Sequence, residues 1–312
     1  FHEPLPTRSI DRPQALPIKL RPPAIPDAPS INELRVTAFR DYLLCPYRFY
    51  LRHVRKLITI DDRQTELDAP SFGSLFHDIF EAFGRSPLAH SPDVKDIIAF
   101  VEAEWRDRER NRYRDSLPSV LIQGEQIKRR LAAFANWQAA WFAAGWRILH
   151  VELEAIGSSA AIMVDDQPFH LTGRIDRIDR NAHTGEIAII DYKTGDGLKT
   201  PDERHRTKGE WTDLQLPLYR HLVLGTKAAK DVHDASGPPL LGYVAIPKSI
   251  EETNFYLAEW NEVELAEADD TARRVARALR QGIFEPRSRE KDAITQFADF
   301  SRICQDGILG HE

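Results

Sequence analysis

Residues 173–195 read GRIDRIDRNAHTGEIAIIDYKTG, and this stretch decides the fold. The apolar run EIAIIDY (186–192) predicts a buried strand. The polar segment before it contains Gly185 and predicts a turn. A second strand is expected to precede this turn. The stretch therefore predicts two neighbouring antiparallel strands in a sheet.

Two carboxylates and one amine are expected to meet at the end of this strand pair. Asp176 lies in the first strand, Asp191 ends the second, and Lys193 follows two residues later. Because side chains alternate along a strand, Asp191 and Lys193 face the same side. Carboxylates bind Mg²⁺, which activates water and neutralises phosphoryl charge, and a lysine stabilises charge that builds on phosphorus. An isolated D-x-K string is, however, also typical of an ordinary turn.

Three other residues are candidates for the same site. His77 lies among apolar residues of a predicted helix, where it is either a packed histidine or a third metal ligand. Gln215 and Tyr219 are four residues apart in LQLPLY and therefore share one helix face. These two either support the lysine and contact a phosphate, or simply pack.

Glu152 is a weaker candidate. It lies in WRILHVELEA (146–155), a loosely alternating segment that predicts a strand. Its carboxylate is either a further group at the sheet edge or an ordinary residue facing solvent. We favour the solvent-facing position.

The order of predicted elements indicates an α/β fold with a mixed sheet. A helix is expected from Thr37 and should end or kink at Pro46, and Pro217 indicates a kink or a late start in another helix. The remaining helices are predicted over 71–83, 93–113, 121–144, 212–224 and 263–281. Strands are predicted over 146–156, 160–164, 169–179, 186–192, 240–247 and 253–259.

Composition limits the class of protein. Hydrophobic residues make up 42%, no apolar run reaches the ~18 residues of a membrane span, and no signal-peptide pattern is present. Two cysteines form no disulfide framework, so a cytoplasmic setting is expected. The net charge of −6 counts mildly against nucleic-acid binding. Because the chain starts at Phe1 rather than Met, we expect a fragment of a longer polypeptide.

Two segments near the start have their own texture. Residues 1–30 hold eight of the 20 prolines and predict a linker or extended arm. The stretch AFRDYLLCPYRFYLRHVRKL (38–57) mixes arginines with aromatic rings. It is either an amphipathic helix pair with a solvated basic side or a phosphate-contacting surface with stacking aromatics. We favour the helix pair.

Five strings resemble the RecB/AddB-like branch of the PD-(D/E)xK nuclease superfamily. In chain order they are YLLCPYRFYL (42–51), GSLFHDIFEAF (73–83), GRIDRID (173–179), IIDYKTG (189–195) and LQLPLY (214–219). Each is modest alone, but five in the right order are specific. The resemblance implies a restriction-endonuclease-like core, a central mixed β-sheet flanked by helices, with an added N-terminal helical region.

The resemblance also implies a division of the chain and roles for its residues. Residues 31–312 would be the nuclease domain, with a helical region to about 145, a catalytic α/β core over about 146–260, and a C-terminal helix and tail over 261–312. The implied metal ligands are His77, Asp176, Asp191 and the backbone carbonyl of Tyr192, with Lys193 catalytic and Gln215 and Tyr219 supporting it.

The implied activity is that of a Mg²⁺- or Mn²⁺-dependent deoxyribonuclease. It would act exonucleolytically on single-stranded DNA or duplex ends, in double-strand break repair and recombination, with a helicase domain or subunit as partner. Two alternatives stay open. One is a catalytically inert DNA-binding or scaffolding module of such a complex. The other is a sequence-specific restriction-type endonuclease, although no target-recognition module is evident.

One departure from the resemblance concerns iron. AddB-like relatives often hold an iron–sulfur cluster on one early and three late cysteines. Cys45 matches the early position and Cys304 one late position, but Thr295 and Ala298 occupy the other two. Two cysteines cannot supply four thiolates. No cluster is therefore expected, and packing is expected to join the two ends of the domain.

Overall fold

The computed structural model describes residues 29–58, 69–112, 118–155, 159–197 and 199–285, together with Phe300 and Ile303. The proline-rich arm predicted over 1–30 lies almost entirely outside them. In the described residues, no helix is both long and apolar enough to cross a membrane. The helices are α1 (Ala38–Leu44), α2 (Pro46–Phe49), α3 (Ala69–Arg85), α4 (Val94–Arg112), α5 (Pro118–Ala143), α6 (Pro201–His205), α7 (Gln215–Leu222), α8 (Ala229–His233) and α9 (Glu262–Arg280).

The strands form a large and a small sheet and one short hairpin. They are β1 (Glu33–Arg35), β2 (Trp146–Glu154), β3 (Ala161–Val164), β4 (Gln167–Thr172), β5 (Arg174–Asn181), β6 (Ile187–Lys193), β7 (Arg206–Thr207), β8 (Glu210–Trp211), β9 (Leu240–Ala245) and β10 (Asn254–Leu257). The large sheet has the order β10-β9-β6-β5-β2, and the small sheet has the order β1-β4-β3.

Strand β6 lies at the centre of the large sheet, as its apolar run requires. It pairs in parallel with β9 and antiparallel with β5. In the β5–β6 register Arg177 lies opposite Ile190, and one further step sets Asp176 opposite Asp191. The mixed sheet flanked by helices confirms the predicted α/β fold.

Each face of the large sheet carries its own apolar layer. Ile190 and Tyr192 pack with α3, α4 and α5 on one face. Ile187 and Ile189 pack on the other face with α7, α9 and the small sheet. Because β6 alternates between these layers, Asp191 faces the side covered by α7.

The continuous strand predicted over 169–179 is wrong. The extended segment is interrupted at Gly173, whose φ is +148°. A Cβ at this position would lie 3.1 Å from Cγ2 of Val36. β4 ends at Thr172 in the small sheet, and β5 begins at Arg174 in the large one. Only glycine adopts this φ without strain, so it allows the chain to change sheets.

Other boundaries follow the sequence more closely. The helices predicted over 71–83, 93–113, 121–144 and 263–281 are α3, α4, α5 and α9. The helix predicted over 212–224 starts late, at Gln215, so Pro217 lies in its first turn. Backbone N–H groups in the first turn have no partner within the helix, so the N–H that proline lacks is not missed there. The small elements β1, α6, β7, β8 and α8 were not predicted.

The aromatic rings of the N-terminal helices belong to the core. Tyr42 and Phe49 are both 0% exposed. The Tyr42 hydroxyl donates to the Ile283 carbonyl at 2.6 Å, and Phe49 stacks on Phe284 with ring centroids 6.2 Å apart. These two rings therefore cannot stack on nucleic-acid bases, and the amphipathic helix pair is the better interpretation.

Packing also joins the beginning and end of the domain at Cys45. This buried thiol forms a small apolar cluster with Leu51 and Phe300. Cys304, the second cysteine of the sequence, lies outside the described residues. The contact agrees with the expectation that apolar packing ties the two ends together.

A buried ion pair lies under the sheet on the side of α5. Arg177 is 0% exposed, and its Nε and Nη2 donate to the two oxygens of Asp179 at 2.7 and 2.5 Å. Arg177 Nη1 also donates to Gln138 at 2.7 Å, and the Trp141 indole donates to Asp179 at 2.7 Å. A buried pair is tolerated when its remaining donors and acceptors are bonded in this way.

We expect Asp179→Ala to lower the free energy of unfolding by about 3–5 kcal/mol, because it leaves the Arg177 charge buried without its counter-ion. Urea unfolding measures this loss. The control is Arg85→Ala, which removes an exposed pair with Glu81 and should cost less than about 1 kcal/mol. Equal unfolding midpoints for the two variants would show that Arg177 does not depend on Asp179.

Candidate active site

Helix α7 places two donors on one oxygen of Asp191. Gln215 Nε2 donates to Asp191 Oδ1 at 2.6 Å, and the Tyr219 hydroxyl donates to the same atom at 3.1 Å. Asp213 bonds the Gln215 backbone N–H at 2.9 Å and so orders the start of the helix. The spacing of four residues brings both side chains to the same carboxylate.

Lys193 contacts the other oxygen of Asp191. Its Nζ lies 2.6 Å from Asp191 Oδ2 and donates to Gln215 Oε1 at 3.3 Å. The ammonium also lies 5.0 Å from the centroid of the Tyr243 ring, on β9. Asp191 and Lys193 therefore lie on the same side of β6, as the alternation of side chains along a strand predicts.

A second group forms beside this network from α3, β2 and β5. His77 Nδ1 lies 3.4 Å from Glu152 Oε1 and 3.6 Å from Asp176 Oδ1. One ligand atom from each of these three residues lies within 4.8 Å of the others. Asp176 Oδ2 also accepts the backbone N–H of Tyr192 at 2.9 Å, which ties this group to the strand that carries Asp191.

The solvent-facing position favoured for Glu152 is wrong. Its side chain is only 4% exposed, and its Oε2 forms an ion pair with Arg174 Nε at 2.5 Å. Strand β2 is irregular, with a register shift between Ile148 and His150 and a left-handed φ of +49° at Glu152. Alternation along a regular strand does not anticipate either distortion, so the pattern gave the wrong orientation.

The Tyr192 side chain is not part of the carboxylate cluster. Its hydroxyl accepts from Arg177 at 3.2 Å, and its ring packs on Phe80 with centroids 4.6 Å apart. Burial raises the pKa of Tyr192 to about 12, so the hydroxyl stays protonated. The role of its backbone carbonyl as a metal ligand stays a prediction.

Proton binding in the cluster is strongly perturbed. Burial, followed by the neighbouring Asp191 carboxylate, raises the pKa of Asp176 well above the usual range of carboxyls. Burial disfavours the imidazolium of His77, but the carboxylates around it, chiefly Asp176 and Glu152, outweigh burial and raise its pKa to about 9. Both groups therefore hold protons more tightly than usual in the metal-free protein.

Sequence reasoning missed a buried pair behind Lys193. His205, at the end of α6, is 0% exposed, and its Nδ1–H donates to the Asp213 carbonyl at 2.9 Å. Its Nε2 then accepts from the Tyr243 hydroxyl. The string Thr200-Pro-Asp-Glu203 is a capping-box signature that could have revealed α6, and the structure contains that box.

Cavity size alone does not locate this site. A cavity of about 760 Å³ lies between α9 and the β7–β8 hairpin and is lined by Trp211 and Arg274. None of the carboxylates above lines it. A smaller cavity of about 330 Å³ is lined by Glu152, Arg174 and Lys227. The convergence of charged groups is the better guide.

A family model described as the PD-(D/E)XK nuclease superfamily matches residues 33–305. The chain belongs to the PD-(D/E)XK nuclease superfamily. Its large sheet and flanking helices form the restriction-endonuclease-like core of that superfamily, and the predicted fold is confirmed. The strings GRIDRID and IIDYKTG lie within the matched residues and contain Asp176, Asp191 and Lys193 of the cluster described above.

Curated relatives cover only part of the chain. The chain is 27% identical over 188 residues to one of the subunits of an "ATP-dependent helicase/deoxyribonuclease" from Clostridium perfringens, in strain SM101 and in strain 13. Each match covers 52% of this chain and 15% of the relative. The similarity to these proteins is therefore distant, and it involves a small share of their length.

The donor set fits a divalent metal ion. It combines an imidazole nitrogen from His77 with carboxylate oxygens from Glu152 and Asp176, and Asp191 lies next to them. Carboxylates suit Mg²⁺ and Mn²⁺, and imidazole also suits transition metals. Asp176, a buried carboxyl whose pKa is raised, gains from a cation that replaces its proton.

We expect Glu152→Gln to weaken Mn²⁺ binding by about 10-fold or more, because the change removes a charged ligand and keeps the side-chain shape. Titration calorimetry on the DNA-free protein measures the affinity. The matched control is Glu154→Gln, two residues later on the same strand and exposed. Equal Mn²⁺ affinity in the two variants would remove Glu152 from the ligand set.

Metal affinity should rise with pH between about pH 6 and pH 9, because ligands must lose protons before they bind a metal. His77, with its pKa raised to about 9, holds a proton through neutral pH, and Asp176, also raised, loses its proton later than an ordinary carboxyl. Calorimetry in buffers of different ionisation enthalpy should detect proton release on Mn²⁺ binding. Affinity that is independent of pH would contradict this assignment.

Proposed function

We propose that the protein is a Mg²⁺- or Mn²⁺-dependent deoxyribonuclease that hydrolyses phosphodiester bonds. The observation that carries this proposal is the convergence on Asp191. Lys193 and the two donors of α7 fix its carboxylate, and the His77–Glu152–Asp176 group lies beside it. An acidic cluster that can hold a divalent ion, with one adjoining lysine, suits metal-assisted phosphodiester hydrolysis.

The residues divide the chemistry between them. A divalent ion held by His77, Glu152, Asp176 and Asp191 would supply an activated water and neutralise charge on the scissile phosphate. Lys193 holds a positive charge at the edge of this cluster, where it orients the attacking water or stabilises the charge that builds on phosphorus.

Gln215 and Tyr219 keep this arrangement fixed. Gln215 bonds both Asp191 and Lys193, so it sets the distance between the carboxylate and the ammonium. Burial and the Asp191 carboxylate raise the pKa of Tyr219 well above its usual value, so its hydroxyl stays protonated and donates. Fixed donors of this kind cost no reorganisation when charge develops during the reaction.

The names of the similar proteins support a proposal about the biological setting. Because these belong to a helicase/deoxyribonuclease, we extend the proposal to a nuclease domain, residues 31–312, that works with a helicase domain or subunit. Such a domain would digest single-stranded DNA or duplex ends exonucleolytically during double-strand break repair and recombination. The AddB-like branch is the part of the superfamily that we propose for it.

End-labelled single-stranded and duplex DNA, incubated with Mg²⁺, Mn²⁺ or EDTA, tests the activity. We expect metal-dependent degradation by the unaltered chain and none by Asp191→Ala. Lys193→Ala should lower the cleavage rate by about 100-fold or more while DNA affinity stays similar, because the lysine acts on developing charge.

Lys128→Ala is the matched control, since this lysine lies on α5, where it is partly exposed and pairs with Glu125. Its cleavage rate should equal that of the unaltered chain. Full activity in Lys193→Ala would refute the role of the lysine. DNA binding without cleavage in any metal would replace the proposal by an inert scaffolding module.

A further inference from the structure

The short helix α6 is fixed rigidly beside the proposed active site. His205 binds the Asp213 carbonyl on one side and the Tyr243 hydroxyl on the other. Tyr243 lies on β9 directly opposite Asp191 in the register of the sheet. Arg204, one residue before His205, is therefore held next to Tyr243.

The Arg204 guanidinium and the Lys193 ammonium lie near the same aromatic ring, that of Tyr243. Arg204 Cζ lies 5.8 Å from the centroid of the Tyr243 ring, and Lys193 Nζ lies 5.0 Å from the same centroid. Lys193 is paired with Asp191, but among the described residues no carboxylate pairs with Arg204. An anion that lies near this ring would be attracted by both cations.

In the part of the chain that the structure describes, Arg204 has no ion pair or hydrogen bond, and its Nε is buried without a partner. Other arginines near the site are already engaged: Arg174 binds Glu152, and Arg130 binds Asp196 and the Thr194 carbonyl. A donor without an acceptor is unfavourable in a folded protein. Because Arg204 as a whole is only half-buried, an acceptor supplied by a ligand can reach its guanidinium.

We propose that Arg204 binds the DNA phosphate that neighbours the scissile one. The inference rests on the proposed nuclease function and adds a substrate contact to it. A guanidinium presents a planar fork of donors that matches phosphate oxygens, and it stays charged at every working pH. Because α6 is fixed to the sheet, this contact sets where the DNA backbone lies relative to Lys193.

The salt dependence of DNA binding tests this contact without any need for cleavage. The affinity for a fluorescent single-stranded oligonucleotide would be measured in EDTA over a series of salt concentrations. Loss of one phosphate contact should reduce the slope of log affinity against log salt by about 0.7. We expect that reduction in Arg204→Ala and Arg204→Gln, whereas Arg204→Lys should keep most of the slope.

Arg110→Ala is the matched control, because it removes one positive charge from an exposed position on α4. Its slope should equal that of the unaltered chain. If Arg204 only packs on Tyr243, Arg204→Ala would lower the melting temperature and leave the slope unchanged. An unchanged slope in both neutral variants overturns the inference.

The same variants separate this inference from the proposed function. If the unaltered chain cleaves DNA and Arg204→Gln binds it with the original slope, the inference fails and the nuclease function stands. If no metal supports cleavage but the slope still falls in Arg204→Gln, the phosphate contact stands in a binding module. In an active enzyme, Arg204→Gln should raise KM several-fold and leave kcat near its original value.

Discussion

Asp176 and Asp191 lie side by side at buried positions, only 7% and 2% exposed, and the remaining architecture of the site offsets their repulsion. Two carboxylates that lose their water disfavour each other's charged form. The antiparallel pairing of β5 with β6 places the two carboxylates together, so the repulsion results from the sheet itself. Helices α3 and α7 reach the same strands from opposite faces and bring His77 and two neutral donors to them.

The two oxygens of Asp191 have different partners, and this difference orients the group. One oxygen accepts from both side chains of α7, and the other contacts Lys193. The carboxylate therefore has little freedom to rotate, and the ammonium has a defined place. Arg177, next to Asp176 in the sequence, is turned to the opposite face, where its own pair with Asp179 closes the core. A strand alternates its side chains, so it can serve a polar site and a core ion pair with adjacent residues.

The sequence predicted the parts of the site that depend on periodicity. A period of two set Asp191 and Lys193 on one side of a strand, and a spacing of four set Gln215 and Tyr219 on one face of a helix. The mixed sheet followed from the order of elements. These patterns are local, so they can be recognised in one sequence when its tertiary contacts are unknown.

The features that the sequence did not predict depend instead on how distant segments of the chain contact each other. Glu152 points inward through a left-handed residue in an irregular strand, and Gly173 moves the chain between sheets where Val36 approaches it. The pair of His205 and Tyr243 joins residues 38 positions apart. Hydrophobic alternation carries no information on such contacts. Only the capping box of α6 was readable in advance.

The free-energy cost of burying charged groups at this site bears on whether the protein is an active nuclease or an inert module. Buried charged groups are weak contributors to stability, and apolar side chains of similar volume often stabilise a core as well or better. A module that needs only the fold has no physical reason to bury Asp176, Glu152 and Asp191 around His77. The α7 donors and Lys193 hold Asp191 in place, whereas the Tyr192 backbone N–H donates to Asp176 and Arg174 pairs with Glu152. The arrangement is unfavourable for folding and yet firmly held, and this supports the proposal of an active site that holds a cation.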